Sequence, residues 1–251
     1  MQLVLFEELT GAAVGSVLQL PPAEARHVAA ALRMASGERL LVSDGRGRRV
    51  VGTVQISGKD VHVSVDSCVD EPAPDPSITV VQALAKGEHA ELAIDLMTQV
   101  GVDAVIPWAA QRSIVQLKGE RADKALVKWQ QAARAATKQS RRSWMPSIQA
   151  VVTGRELLAS LAGFDQVFVL HEEADSPLAT APLPASGRIC VIVGPEGGIA
   201  PQELDDFASA AALPVRLGPQ VLRASLAGAV AVGVLATRLR WAGAQSPDVG
   251  G

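Results

Sequence analysis

Hydrophobic and polar residues follow two different patterns on either side of residue 72. On the N-terminal side, short runs alternate apolar and polar positions, which is the pattern of half-buried strands. The predicted strands are at 3–6, 17–20, 39–42, 49–56 and 60–65, with turns at 43–47 and 57–60. A single helix is predicted at 23–34, where Pro21 and Pro22 introduce it. The pattern predicts a small β-barrel with an inserted helix.

Beyond a linker at 72–77 that contains three prolines, strands and helices alternate. Apolar strands are predicted at 78–83, 104–106, 166–170, 189–193 and 215–217, and helices at 90–100, 122–138, 154–161, 201–211 and 224–239. Apolar strands between helices are typical of a parallel sheet that is covered on both faces. The chain is therefore predicted to be α/β, with a β-barrel domain at 1–71, a parallel-sheet domain at 78–243 and a disordered tail at 244–251.

Two turns that end strands are the main candidates for a ligand site. One apolar strand ends in the turn from Gly194 to Gly198, and the next ends at Gly218. Ligands of open α/β sheets bind in crevices at the carboxyl ends of strands, and glycines with Pro195 let a backbone approach a ligand closely. Acids such as Glu203 in the following helical turn argue against a bound phosphate. An ordinary strand–helix turn remains the alternative.

Composition excludes several classes of site. Cys68 and Cys190 lie in apolar runs, and the four histidines (27, 62, 89 and 171) are scattered, so no metal site or disulfide is predicted. The N-terminus lacks the basic region of a signal peptide, and the apolar stretch at 224–236 is too short to cross a bilayer. We therefore expect a cytoplasmic protein without a membrane partner.

Charge is unevenly distributed along this acidic chain, whose net charge is −3. The segment from Arg112 to Arg142 contains nine basic and two acidic residues, which gives it a local charge of +7. The segment from Arg26 to Arg49 contains six arginines and two acidic residues, which gives it a local charge of +4. Such asymmetry is typical of a protein that binds a polyanion. A solvated helix face is the alternative for the first segment, and a plain hairpin tip is the alternative for 44–49.

The two strand-ending turns carry a resemblance to a known family. Gly194-Pro195-Glu196-Gly197-Gly198 with Leu217-Gly218-Pro219-Gln220-Val221-Leu222-Arg223 resembles the RsmE family of 16S ribosomal RNA methyltransferases, which belong to the knotted SPOUT class. Further matching residues run from Leu3 to about Arg240 and include Arg26-His27-Val28, Asp44-Gly45, Lys86-Gly87, Arg112-Ser113 and Gln139-Ser140-Arg141-Arg142. Ser225 departs from the family, which often has an acid there.

The resemblance implies a PUA-like N-terminal barrel, a deep trefoil knot in the second domain, and a homodimer. It also implies that S-adenosylmethionine is the cofactor and that N3 of a uridine in 16S ribosomal RNA of the small subunit is methylated. Two alternatives stay open: a knotted methyltransferase that acts on another RNA such as transfer RNA, and a non-catalytic RNA-binding factor of ribosome assembly.

The resemblance and the turns together predict site residues. The cofactor-binding residues are Leu170, His171, Val193, Gly194, Pro195, Glu196, Gly197, Gly198, Leu217, Gly218, Val221 and Leu222. His171 is either at the rim of this site or an unrelated surface histidine. The RNA-binding residues are Arg26, Arg33, Arg46, Arg48, Lys86, Arg112, Lys138, Gln139, Arg141 and Arg142.

Catalysis at N3 requires loss of an imide proton and stabilisation of negative charge on the ring oxygens. Arg223 is the predicted source of that stabilisation, and a structural arginine that caps carbonyls is its alternative. Glu196 is a candidate base, although the same carboxylate is equally suited to orienting the turn through backbone N–H groups.

Overall fold

The computed structural model describes residues 1–115 and 119–241, which form two compact units. Of these residues, 1–73 and 137–145 belong to the N-terminal unit and the others to the second unit. The predicted disordered tail lies outside the described residues, as does Lys118 of the basic segment.

The N-terminal unit contains a five-stranded sheet. Its strands are β1 (Gln2–Leu5), β2 (Val17–Gln19), β3 (Arg39–Ser43), β4 (Arg48–Ser57) and β5 (Asp60–Asp70), in the order β1-β3-β4-β5-β2. Strands β1 and β3 pair in parallel, and the other neighbours pair antiparallel. Alternate valines of β4 and β5 are fully buried, which explains the period of two in the sequence.

The predicted helix at 23–34 is wrong in its extent. The structure has a short helix α1 (Pro22–Arg26) followed by a π-helical turn at His27–Ala31. Arg33 then adopts a φ of 52°, a left-handed conformation that cannot continue a right-handed helix. The helical spacing of apolar residues in the sequence therefore continues past the residue at which the backbone stops being helical.

Segment 137–145 belongs to the N-terminal unit, although the sequence pattern gave no sign of it. The indole Nε1 of Trp144 donates a hydrogen bond to the carbonyl oxygen of Glu71, at 3.1 Å. The Trp144 ring covers Gly47, where an added Cβ would lie 2.6 Å from ring carbon Cζ2. Gly47 also has a φ of 102°, so a side chain is excluded there for two reasons.

The second unit contains the predicted parallel sheet, which has six strands where five were predicted. Its strands are β6 (Ser77–Ala83), β7 (Ala104–Trp108), β8 (Ser147–Ile148), β9 (Gln166–Leu170), β10 (Arg188–Val193) and β11 (Leu213–Val215), in the order β11-β9-β10-β6-β7-β8. The two-residue strand β8 was not predicted, because so short a strand has no readable period.

Helices cover both faces of this sheet. They are α2 (Glu88–Val100), α3 (Glu120–Ser140), α4 (Gly154–Leu161), α5 (Pro201–Ser209) and α6 (Ala224–Leu239). Strand β10 is buried on both faces: Val191 belongs to the same core cluster as the buried residues of α2 and α6, and Ile192 to that of α4 and α5. Burial raises the pKa of the Cys190 thiol on the same strand, so this cysteine is a neutral core residue. Within residues 1–115 and 119–241, no helix is long and apolar enough to cross a membrane.

Glycines on α6 provide a test of its packing against α2. At Gly228 an added Cβ would lie 2.7 Å from the sulfur of Met97, whereas at Gly233 no described residue outside the neighbouring backbone of α6 would come within 4 Å of an added Cβ. Overpacking a core costs typically 1–3 kcal/mol and sometimes more. We therefore expect Gly228→Leu to lower the free energy of unfolding by about 3 kcal/mol, and Gly233→Leu to change it by less than about 1 kcal/mol. Urea denaturation measures both, and equal losses would contradict the packing described.

Candidate active site

A cavity of about 660 Å³ lies at the carboxyl ends of β9, β10 and β11. Because β9 pairs with both β10 and β11, the loops that follow these strands meet at one edge of the sheet. The volume is within the usual range for a small-molecule site. The cavity is lined by residues 112, 170–173, 193–199, 215–218, 220–224 and 227.

The glycine-rich turn after β10 leaves its backbone open to the cavity. The N–H of Gly198 donates to the carbonyl oxygen of Pro195 at 2.9 Å, and Gly198 has a φ of 74°. At Gly194 an added Cβ would lie 2.6 Å from Cγ1 of Ile199, so a side chain would displace the start of the next segment. The turn therefore requires glycine for its own geometry, and its exposed stretch 196–198 forms part of the cavity wall.

The loop after β11 also lines the cavity. Strand β11 ends at Val215, two residues earlier than predicted, because its pairing with β9 ends at Leu170. The carbonyl oxygen of Val215 accepts a hydrogen bond from the N–H of His171 at 3.0 Å. The guanidinium of Arg216 donates to the carbonyl oxygen of Ala174 at 3.1 Å, which ties the loop after β9 to the loop after β11.

Arg223 is exposed at the start of α6, where it is the N-cap residue. Its backbone carbonyl oxygen accepts from the N–H groups of Leu226 and Ala227, each at 2.9 Å. Among the described residues, its guanidinium has no hydrogen-bond or ion-pair partner. The alternative role of capping backbone carbonyls therefore has no support in this structure, and the side chain is available to a ligand of the cavity.

Glu196 is exposed at the tip of the glycine-rich turn. The hydrogen bond that closes the turn joins the backbone of Gly198 and Pro195 and does not involve the Glu196 carboxylate. Within the described part of the chain, that carboxylate accepts no hydrogen bond from the turn. The alternative in which it orients the turn is thus not supported, and its role as a base stays a prediction.

The structure brings all of the predicted cofactor-binding and catalytic residues together around this cavity. Residues that sequence reasoning missed are Glu172, Glu173, Ile199, Val215, Arg216, Gln220, Ala224 and Ala227. All but Ala227 lie within two residues of a predicted site residue, and Ala227 lies four residues after Arg223, about one helical turn, so a wider window around the predicted residues would have found them. The individual roles of the site residues stay predictions.

Two family profiles match the chain: the RNA methyltransferase domain over residues 71–236 and the RNA methyltransferase PUA domain over residues 20–66. A relative from Mycobacterium bovis named ribosomal RNA small subunit methyltransferase E is 40% identical over 232 residues, which are 89% of this chain and 88% of the relative. The chain belongs to the ribosomal RNA small subunit methyltransferase E family. A Bacillus subtilis relative of the same name is 28% identical over 81% of this chain and 83% of its own length.

Solved structures of two proteins with bound S-adenosylmethionine are similar to this family member. The ribosomal RNA small subunit methyltransferase E of Neisseria gonorrhoeae superposes with a TM-score of 0.85 at 26% identity, over 95% of this chain and 98% of that one. A putative methyltransferase of Legionella pneumophila superposes with a TM-score of 0.81 at 26% identity, over 94% and 96% of the two chains.

Among the RNA-binding residues predicted for this family member, Arg112 lies at the cavity. Its Nη1 is 3.4 Å from the carbonyl oxygen of Gly197. The preceding N–H, that of Gln111, donates to Oε1 of Glu203 at 2.8 Å, and Oε2 of Glu203 accepts from Ala200 at 3.1 Å. Glu203 thus caps helix α5 and also holds the loop after β7, a contact that the sequence did not predict.

The other predicted RNA contacts differ in how freely they face solvent. Lys86 in the second unit is exposed. Five residues in the N-terminal unit are also exposed: Arg26, Arg33, Arg46, Gln139 and Arg141. Lys138 lies 3.5 Å from a carboxylate oxygen of Glu24 and is largely buried. Arg142 is half-buried. The exposed residues are the better candidates for phosphate contacts.

Arg48 makes structural contacts within the N-terminal unit, and its predicted RNA contact stays a prediction. Its Nη1 donates to both carboxylate oxygens of Asp70, at 3.1 and 3.0 Å, and its Nη2 donates to the carbonyl oxygen of Ala12. Arg48 and Asp70 are direct partners in the pairing of β4 with β5. Because both terminal nitrogens of this guanidinium already have acceptors, it would have to give up these contacts to bind a phosphate.

Proposed function

We propose that this chain transfers a methyl group from S-adenosylmethionine to N3 of a specific uridine in 16S ribosomal RNA of the small subunit. The observation that carries the proposal is the single cavity in which the glycine-rich turn and the loop at 217–223 meet. Support also comes from relatives that are named ribosomal RNA small subunit methyltransferase E, one of which has a solved structure with S-adenosylmethionine bound.

The residues present fit this cofactor. Close approach of a ligand to the backbone is possible at Gly197, which is exposed and has no side chain, and at Gly218. Three carboxylates line the cavity, at Glu172, Glu173 and Glu196, and a sulfonium cation is compatible with them. The cofactor-binding residues predicted from the sequence would hold it. Bound there, S-adenosylmethionine supplies an electrophilic methyl group.

The chain's own residues act on the RNA base. Because N3 lies on the Watson–Crick edge, the target uridine has to be unpaired or turned out of its stack before it enters the cavity. Removal of the N3 proton leaves negative charge on the ring oxygens, and the Arg223 guanidinium is placed to stabilise that charge. Glu196 is the candidate acceptor of the proton. A water-poor cavity would strengthen both interactions.

Finer features of the architecture are also part of the proposal. The N-terminal sheet closes into a PUA-like barrel, the chain of the second unit forms a trefoil knot, and two copies form a homodimer in the cytoplasm. The proposed domain boundaries are those predicted at 71, 78 and 243, except that segment 137–145 belongs to the N-terminal unit. Support comes from the family resemblance and from the PUA-domain profile that matches residues 20–66.

A paired experiment separates this proposal from a non-catalytic assembly factor and from a methyltransferase of another RNA. Purified protein is titrated calorimetrically with S-adenosylmethionine and is then supplied with methyl-labelled cofactor and either small-subunit ribosomal RNA or transfer RNA. We expect saturable cofactor binding and label in ribosomal RNA alone. Absence of cofactor binding would favour the assembly factor, and label in transfer RNA would favour the other enzyme.

RNA binding provides a prediction for the exposed arginines of the N-terminal unit. Each phosphate contact contributes about 0.7 to the slope of log affinity against log salt for single-stranded nucleic acid. Arg46→Gln combined with Arg141→Gln should therefore lower the slope for the RNA by about 1.4. In Arg48→Gln, thermal stability should fall because the pair with Asp70 is lost, while the slope stays the same. A double variant with the wild-type slope would exclude Arg46 and Arg141 from the RNA surface.

A further inference from the structure

The loop after β7 is fastened to the glycine-rich turn after β10. One hydrogen bond joins the loop to the turn itself, from Nη1 of Arg112 to the carbonyl oxygen of Gly197, and a second joins the loop to helix α5, where Glu203 accepts from the N–H of Gln111 at 2.8 Å. The backbone is also closely packed, since a Cβ added at Gly197 would lie 3.3 Å from the carbonyl oxygen of Arg112. The position of the Arg112 backbone is thus set by the turn that forms one wall of the cavity.

The guanidinium of Arg112 is held much less firmly than its backbone. Its contact with Gly197 is 3.4 Å long, beyond the usual 2.7–3.2 Å, and the acceptor is a neutral carbonyl. Arginine has five N–H donors in a planar fork, which matches the geometry of a phosphate group. The side chain is exposed and lines the cavity. A phosphate could therefore bind the guanidinium with little loss elsewhere.

Of the three arginines described in the cavity lining, Arg112 is the best candidate to bind an RNA phosphate. Arg216 already donates to a backbone carbonyl, and Arg223 lies at the start of α6, the position proposed for the reacting base. Among the lining residues that the structure describes, three carboxylates offset three arginines, so these side chains together have little net attraction for an anion. An RNA phosphate at its mouth needs a specific ligand.

We propose that Arg112 binds a backbone phosphate of the RNA at the mouth of the cavity, and that its contact with Gly197 makes cofactor and RNA binding mutually favourable. This inference rests on the proposed function. A cofactor that orders the turn also fixes the base of Arg112, so less conformational freedom is lost when the phosphate binds. By thermodynamic linkage, the RNA must increase cofactor affinity by the same factor.

The test measures this coupling with S-adenosylhomocysteine, which cannot donate a methyl group. The dissociation constant of a small-subunit RNA fragment is measured with and without saturating S-adenosylhomocysteine, and that of S-adenosylhomocysteine with and without RNA. For wild type we expect both ratios to equal about 5 or more, the lower end of typical couplings. For Arg112→Ala both ratios should be about 1. The RNA affinity of this variant in the presence of S-adenosylhomocysteine should be at least fivefold lower than that of wild type.

Two further variants make the result specific. Lys124→Ala removes an exposed cation of α3 that lies 3.7 Å from Glu120 and does not line the cavity. Any loss of RNA affinity in Lys124→Ala should leave the coupling ratio unchanged. Arg112→Lys keeps the charge without the planar fork, so it should retain most of the RNA affinity while the ratio falls below about 2. This variant also serves if Arg112→Ala does not fold.

The outcomes distinguish this inference from the proposed function. A wild-type ratio of 1, or an unchanged ratio in both Arg112 variants, overturns the coupling role while methyl transfer by wild type upholds the enzyme. Wild-type protein that binds RNA but neither S-adenosylmethionine nor S-adenosylhomocysteine overturns the proposed function itself. Loss of coupling in the Arg112 variants alone supports the inference.

Discussion

Arg223→Ala should lower the single-turnover rate of methyl transfer by about 10²–10³-fold, the usual cost of removing one group that stabilises developing negative charge. Affinities for S-adenosylmethionine and for RNA should stay within a few-fold of wild type, because an interaction made mainly in the transition state affects the rate and not the ground-state affinity. The structure motivates this prediction: the guanidinium lines the cavity and has no partner among the described residues.

The matched control is Arg216→Ala, which removes the same charge from the same cavity. Because Arg216 donates to the carbonyl oxygen of Ala174, its loss should loosen the wall after β9 and weaken cofactor binding. The rate at saturating cofactor should remain near that of wild type. Rapid-quench assays on both variants provide the comparison, and a wild-type rate in Arg223→Ala would show that this arginine does not stabilise the reacting base.

Gly197→Val should abolish cofactor binding, with at least a 100-fold loss of affinity in a calorimetric titration. An added Cβ would already lie 3.3 Å from the carbonyl oxygen and 3.4 Å from the Cβ of Arg112, so the two methyl groups of valine have to occupy the cavity or push the loop after β7 away. Since Gly197 is exposed and its φ is not in the left-handed region, thermal stability should change little.

Gly154→Val is the control for the Gly197 substitution, because Gly154 lies at the start of α4 and does not line the cavity. An added Cβ at Gly154 has no described atom of another segment within 4 Å, so valine fits there without displacing a neighbour. We expect cofactor affinity within about threefold of wild type for this variant. Unchanged affinity in Gly197→Val would remove the glycine-rich turn from the cofactor site.

The parallel sheet and its helices were predictable because local signals agree with the tertiary fold. Helices α4 and α6 have the predicted bounds, 154–161 and 224–239. In both helices, the helical repeat of apolar residues stops at the same point as the helix itself. The two turns of the cavity were predictable for a similar reason: glycine and proline mark a change of backbone direction whatever the surroundings.

The features that the sequence did not reveal depend on contacts between distant segments. Arg112 and Gly197 are 85 positions apart, and nothing in either segment indicates that they meet. Arg46 and Arg48 look alike in sequence, yet strand register places Asp70 opposite Arg48. The early end of β11 likewise follows from the end of its partner β9 at Leu170. Such pairings are properties of the folded chain and not of its local pattern.

The atom that carries the methyl group in the RNA product decides whether this protein methylates N3 of uridine. Small-subunit ribosomal RNA that lacks the modification is incubated with purified protein and S-adenosylmethionine, then digested to nucleosides and analysed by mass spectrometry against standards. We expect one new nucleoside, N3-methyluridine, which is formed by wild type and is reduced at least 100-fold with Arg223→Ala in a short reaction. A methyl group on a ribose oxygen or another base atom, or no methylated nucleoside from protein that binds the cofactor, would contradict this prediction.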